Sequence, residues 1–394
     1  MKKRVLLAFI FLIVLVHFIY LHHNVSILTI ETGIKTGSLL LFGLLILFPR
    51  ISNSRDNPAE RLWKNWCISF LAFFIMILSL VIYINPHGRF PWQYYPFTVA
   101  SPHYRKMNLF KKSSDAPRVI ILGSSHAFTI PADYVSHLMN VRTFNMAVGY
   151  AGPVDELMLT RFVLDQGRRI PAIVVVEIVA TDLGTFGWRS APVRLLPYLP
   201  NNLKMEVVDN IFLDTISLQS LSDSVFLLAG FGNTVENITF LPDGTGVRNF
   251  SSTKASYKKQ VRLQIPRIYK QHNCFSLDEQ GMNAYEEMAA LSQEYNFGLI
   301  FYRSPLNDEY FKKIDETKPS YQKCQSLFAK YMQTLTDQYP NVYYIDLLKY
   351  EQIGGLGYAG YIDAQHLRPN ASRRLVDTLL PTLQKALIWV QGIR

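Results

Sequence analysis

Two short stretches near opposite ends of the soluble part of this 394-residue chain carry side chains that can do nucleophilic chemistry together. The first is Gly123, Ser124, Ser125 and His126, which follows the apolar run Val119–Leu122 directly. A serine hydroxyl is a poor nucleophile alone: an imidazole must take its proton, and a carboxylate must hold the imidazole's tautomer and steady its charge. The second stretch, from Tyr361 to Pro369, offers that pair, with Asp363 three residues before His366. The two can meet only if the fold brings the ends of the domain together.

The elements needed to do so are legible. Arg118–Leu122 reads as a buried parallel strand, and open α/β sheets put ligands at the carboxyl ends of such strands. Beyond it, short apolar runs alternate with amphipathic stretches, the pattern of βα units and a mainly parallel sheet. Strands are expected at Arg142–Met146, Ala172–Val179, Phe297–Tyr302 and Val342–Leu347. Helices are expected near Ala132–Met139, Val154–Asp165, Leu277–Tyr295, Ser320–Gln338 and Ala371–Val390. The Ala172–Val179 run is mostly β-branched, which suits a central strand. The alternation lapses between about residues 183 and 284. That insertion holds two expected helices, Lys204–Leu213 and Leu218–Leu228, a turn at Pro242–Gly244 with hairpin-like flanks, and the basic run Lys254–Lys270, read as a cap or a substrate-binding region whose charges form a solvated face.

The first hundred residues are of another kind. Trp66–Asn85 is an apolar run of twenty residues, which at about 1.5 Å per residue crosses a bilayer core of about 30 Å. Val5–Tyr20, behind Lys2, Lys3 and Arg4, is a second span, retained as an anchor because no small-residue cleavage site follows it. Thr36–Ile51 reads as a further span or as an interfacial helix. Seven basic residues, Lys2, Lys3, Arg4, Arg50, Arg55, Arg61 and Lys64, outnumber Asp56 and Glu60 around these runs. By the positive-inside rule they are cytoplasmic, so the chain from about Pro86 onward lies outside the cytoplasm. The aromatic segment Phe90–Phe97 suits the bilayer interface. The chain thus divides into an anchor (1–85), a membrane-proximal linker (86–117) and an α/β domain (118–394).

Half of the net charge of +10 belongs to that topology. The rest is modest basicity, suited to an anionic envelope polymer or membrane surface, and it lacks the dense stripe and module of a nucleic-acid binder. No Cys/His cluster has zinc spacing, and nothing calls for a metal or an organic cofactor. Of three cysteines, Cys67 falls in the third apolar run as a buried apolar residue, and the outer compartment permits a Cys274–Cys324 disulfide.

This order of parts resembles the SGNH/GDSL hydrolase superfamily, whose fold is a flavodoxin-like α/β three-layer sandwich with the nucleophile after the first strand and Asp-x-x-His near the C-terminus. The resemblance spans roughly 118–388, interrupted by the insertion, and implies Ser125 as nucleophile, His366 as base and Asp363 as its orienter. It implies an oxyanion hole from the Ser125 N–H and a glycine of the second block, Gly152 by preference or Gly149. The third block carries Thr181 and Asp182 where the family has Asn-Asp, so the usual second oxyanion donor is either missing or replaced by the Thr181 hydroxyl. An α/β-hydrolase elbow fits less well, since Ala127 stands where that motif has glycine.

Within the superfamily, the N-terminal anchor, Ser for Asp in the first block and the missing third-block Asn resemble the branch of teichoic-acid D-alanylation and alginate O-acetylation proteins. That likeness implies a serine esterase or O-acyltransferase at the cytoplasmic membrane of a bacterium, its catalytic domain extracytoplasmic, acting on an acylated envelope glycan beside a multi-span membrane acyltransferase. Two other readings stay open: a non-catalytic module that binds polymer or scaffolds such a complex, and a lipid esterase at the membrane surface.

Overall fold

The computed structural model describes residues 58–87, 90, 102–113, 115–149, 151–166, 169–178, 193–200, 215, 217–229, 238–248, 253–271, 276–307, 311–312, 319–349, 351, 357–363 and 365–393. The chain divides into two compact units: Met1–His87 with Trp92–Thr98 and Phe212–Gly232, and the remainder.

In the larger unit, five strands form one parallel sheet: β1 (Val119–Leu122), β2 (Thr143–Asn145), β3 (Ile173–Ile178), β6 (Gly298–Arg303) and β7 (Val342–Asp346). Their order is β2-β1-β3-β6-β7, the doubly wound flavodoxin-like arrangement that places β1 and β3 side by side at the centre. The register pairs Leu122 with Val176 and Val176 with Phe301. Every residue of β1, β3 and β6 is buried, which is why these strands are unbroken apolar runs rather than alternating ones. Between β3 and β6 lie the antiparallel hairpin strands β4 (Ile238–Phe240) and β5 (Gly246–Arg248).

The helices of this unit are α2 (Pro102–Lys112), α3 (Ala132–Met139), α4 (Pro153–Asp165), α6 (Lys254–Gln271), α7 (Glu279–Glu294), α8 (Pro319–Gln338) and α9 (Pro369–Ile393). One layer is built from α4 and α7, which pack on each other and on β3 and β6, and another from α3 and α9. Helix α9 comes so close to the start of β6 that a Cβ on Gly298 would lie 2.8 Å from that of Ala386. The α/β architecture and its element order are those expected from the periodicity. The segment between anchor and sheet is more than a connector: it holds α2, whose Met107 and Phe110 enter the core, Phe110 edge-on to Phe144 with centroids 5.3 Å apart.

The smaller unit contains α1 (Pro58–Ile84) and α5 (Leu218–Leu228). Within α1, Trp66–Ile84 is long and apolar enough to cross a membrane. Val5–Tyr20, Thr36–Ile51, Lys204–Leu213, Thr181 and Cys274 lie outside the described residues. Cys67, expected to be buried, is exposed on α1 and free, while Cys324 is buried and disulfide-bonded.

Candidate active site

Strand β1 ends at Gly123, where the chain turns at φ +143°, a conformation that L-residues rarely adopt. A Cβ there would also lie 2.5 Å from the Cβ of Glu177. Glycine at this position lets the chain double back over the sheet edge and lifts Ser125, half-buried, above the carboxyl end of β1.

The structure brings Ser125 and His366 together across 241 residues. Ser125 Oγ lies 2.9 Å from Nε2 of His366. On the other side of the ring, Nδ1 lies 2.8 Å from Oδ2 and 3.0 Å from Oδ1 of Asp363. Oδ1 of Asp363 also accepts the backbone N–H groups of Gln365 and His366, both at 2.9 Å. These bonds fix the carboxylate beside Nδ1 before α9 begins. Burial raises the Asp363 pKa, but the hydrogen bond and charge of His366 and the two N–H groups outweigh it and hold the carboxyl well below the usual range. The His366 pKa is pushed down to about 4, chiefly by burial, against the pull of Asp363 and with help from the charges of Arg248 and His126. At neutral pH the imidazole is therefore uncharged and able to accept a proton.

Beneath this trio lies a buried polar layer that the motif reading passed over. Glu177, on β3, is fully buried, and its Oε2 accepts both the N–H and the hydroxyl of Ser124, each at 2.8 Å. Its Oε1 stands 3.6 Å from Nδ1 of His126. Burial pushes the Glu177 carboxyl up, yet His126 and Ser124 together bring it net below its ordinary value. Glu156, on α4, is buried and raised well above its usual pKa, first by burial and then by the charges of Glu177 and Asp155. The His126 ring meets His366 edge-on, centroids 5.2 Å apart. One signal for this layer stands in the sequence: a lone carboxylate in an otherwise apolar strand must have partners, because an unpaired buried charge is too costly to keep.

The oxyanion candidates separate on their hydrogen bonds. Gly152, the preferred one, is the N-cap of α4 and gives its N–H to Asp155 Oδ2 at 3.0 Å. Among the described residues, no acceptor takes the N–H of Gly149 or of Ser125. The geometry thus favours Gly149 over Gly152, because a donor already spent on a carboxylate is not available to a developing oxyanion. Among the described residues no cluster of His, Cys, Asp and Glu is arranged to hold a metal ion.

The second-block strand is braced from behind by Lys106 of α2. This fully buried ammonium donates to Asn145 O at 2.7 Å, to Asn145 Oδ1 at 3.2 Å and to Gly244 O in the hairpin turn. It also lies over the rings of Phe128 and Phe240, 5.4 and 4.8 Å from their centroids. Gly244, at φ +81°, is the second obligatory glycine, since a Cβ there would run into Asn145 O. The hairpin so fixed carries Arg248, whose charge reaches His366.

No family model matches the sequence, and no curated protein does. Among solved structures the chain is similar to TesA, with 14% identity and a TM-score of 0.34 over 68% of this chain and 98% of that one. It is similar also to a candidate SGNH hydrolase from Slackia heliotrinireducens, with 11% identity and a TM-score of 0.35 over 68% and 100%. A third is a candidate acylhydrolase from Bacteroides fragilis, with 12% identity and a TM-score of 0.36 over 72% and 95%.

Proposed function

We propose that the protein is a membrane-anchored, extracytoplasmic serine esterase or O-acyltransferase that acts on acyl groups, acetyl foremost, of a cell-envelope polysaccharide. The observation that carries the reading is the continuous chain Ser125 Oγ to His366 Nε2, then His366 Nδ1 to Asp363, at 2.9 and 2.8 Å, around an imidazole that is neutral at pH 7.

In this reading Ser125 Oγ attacks the acyl carbonyl while its proton passes to Nε2 of His366. Asp363, ionised and fixed by two N–H groups, offsets the positive charge that then develops on the imidazole. The carbonyl oxygen becomes an oxyanion, held by the Ser125 and Gly149 N–H groups. Collapse expels the alcohol, which takes the proton from His366, and leaves an acyl-Ser125 ester. In the second half His366 deprotonates water or a sugar hydroxyl, that oxygen attacks the ester, and Ser125 departs with the proton restored. Water makes the enzyme an esterase and a sugar hydroxyl makes it a transferase. No cofactor takes part in either half. The polysaccharide assignment rests on the excess of basic residues flanking the apolar runs, which by the positive-inside rule favours an extracytoplasmic domain, and on the modest positive charge.

The test uses the full-length protein in detergent and a serine-directed fluorophosphonate, with wild type beside Ser125→Ala. Labelling and acetyl-ester turnover that both vanish in Ser125→Ala support the acyl-enzyme, and transfer to added oligosaccharide distinguishes the two acceptors. A folded wild type that takes no label rules the acyl-enzyme out and leaves a polymer-binding or scaffolding module.

A further inference from the structure

Helix α5 has its polarity turned inside out. It belongs to the same compact unit as α1 and packs against it. Among its described side chains, α5 buries two small polar ones, Ser220 and Ser224, 2% and 0% exposed and one turn apart, together with Leu227. Their hydroxyls are satisfied locally. Ser224 Oγ donates to Ser220 O at 2.7 Å, and Ser217 Oγ donates to Ser220 Oγ at 3.1 Å while capping the helix through the Ser220 N–H. Its exposed large side chains are apolar, Val225 and Leu228 at 51% and 48%, while Leu221, Ser222 and Asp223 are half-buried.

A helix on a water-facing surface would bury the leucines and expose the serines. Serines spaced four apart on a buried face, with aliphatic side chains outward, are how helices pack inside a bilayer, where close backbone approach replaces the hydrophobic drive. The neighbour agrees, since α1 exposes Trp66, Phe70, Leu71, Phe73 and Met76, while its burial is concentrated toward the end, at Val81, Ile82, Ile84 and Asn85. A part-buried contact of 2.8 Å between His87 Nε2 and Asp223 Oδ2 ties α5 to the chain just beyond that end. At eleven residues, about 17 Å long, α5 is too short to span a bilayer.

We infer that α5 is a membrane-seated half-helix, with Val225 and Leu228 against lipid in the outer leaflet beside the end of α1. The occupant of the exposed face is bilayer hydrocarbon, because α5 packs on a helix that is long and apolar enough to cross a membrane. The inference shares with the proposed function only the membrane anchor and is independent of Ser125 chemistry.

The full-length protein with Cys67→Ser, carrying Val225→Cys, Leu228→Cys or the exposed control Ile388→Cys, is labelled with an environment-sensitive fluorophore and reconstituted in phosphatidylcholine–phosphatidylglycerol vesicles. The expected result is blue-shifted emission at 225 and 228, loss of most of it when brominated phosphatidylcholine replaces the ordinary lipid, and neither change at 388. Emission at 225 and 228 that matches the control and is quenched by aqueous iodide places the helix in water and overturns the inference. Emission shielded from iodide yet untouched by brominated lipid means that a protein surface, a second copy or another partner, covers the face, and overturns it equally.

Discussion

One carboxylate oxygen, Oε2 of Glu177, accepts both the backbone N–H and the hydroxyl of Ser124, so the turn that presents Ser125 is fastened to the central strand from below. Ser124 Oγ in turn accepts the N–H of His126 at 3.3 Å, and the His126 ring touches His366. Glu177→Ala leaves the two Ser124 donors buried without their acceptor and removes the carboxylate beside His126, which at about 1–3 kcal/mol for each unsatisfied group predicts a stability loss of about 2–6 kcal/mol. Glu177→Gln keeps an oxygen for Ser124 but removes the charge beside His126. It should retain the fold and slow fluorophosphonate labelling of Ser125 by roughly 10- to 100-fold, the worth of a hydrogen bond to a charged group. Thermal unfolding and labelling rate, measured on both variants, check the two halves. A Glu177→Gln protein that labels at the wild-type rate removes Glu177 from the positioning of the nucleophile.

The fold and the trio at its edge were readable for the same reason: both are written in local pattern. Val119–Leu122 and Ile173–Ile178 announce parallel strands because both faces are covered, and Asp363-x-x-His366 announces itself because three residues suffice to place a carboxylate on its own imidazole. What stayed hidden depends on contacts made far along the chain. Lys106 looks like one of several cations in a linker, and only the folded hairpin 138 residues later supplies its acceptor at Gly244. Spacing alone likewise does not reveal that the Gly152 N–H is engaged by Asp155. Contacts distant in sequence also divide the insertion: α5 groups with α1, while the β4–β5 hairpin groups with the sheet.

The acid limb of catalysis should lie far below that of an ordinary histidine. With His366 at about 4, the base of the free enzyme is neutral through most of the acid range. The kcat/KM for acetyl esters is therefore expected to be half-maximal near pH 4 and to fall about tenfold per unit below it. Arg248→Gln removes a positive charge that opposes imidazole protonation, so its limb should move upward. Stability follows the same sign. Between about pH 6.5 and 4 the unfolded chain binds the proton and the native imidazole does not, so stability declines as pH falls through this window and levels off below it. A wild-type limb near 6.5 would contradict the desolvated imidazole.

Lys106 should behave as a structural cation. Burial lowers its pKa well below the ordinary lysine value, partly countered by Asp243, and its three contacts use the three N–H groups of an ammonium. Lys106→Met fills the space but leaves Asn145 O, Asn145 Oδ1 and Gly244 O without that donor. Asn145 Oδ1 keeps the Ala147 N–H, so two carbonyls are left unsatisfied at about 1–3 kcal/mol each, and a loss of roughly 2 kcal/mol or more is expected by denaturant unfolding. Because the hairpin it secures carries Arg248, the variant should also shift the acid limb in the direction of Arg248→Gln. A variant as stable as wild type would show that the hairpin is held by other contacts.

The two glycines of the second block make the last prediction, on the oxyanion. Gly149→Pro deletes an N–H that no described residue accepts, and loss of one oxyanion donor costs about 10²–10³ in rate. Gly149→Ala keeps the N–H, and its Cβ would lie 3.4 Å from Phe128 Cζ, a contact the ring can relieve by a small shift. It should therefore stay within a few-fold of wild type and control for crowding. Gly152 has φ −116° and ψ −177°, extended backbone open to any residue, and its N–H already serves Asp155. Gly152→Ala should leave acylation unchanged. The comparison is made on the burst of product from an activated ester, which reports acylation alone. If the burst survives Gly149→Pro, the Gly149 N–H is not the second oxyanion donor.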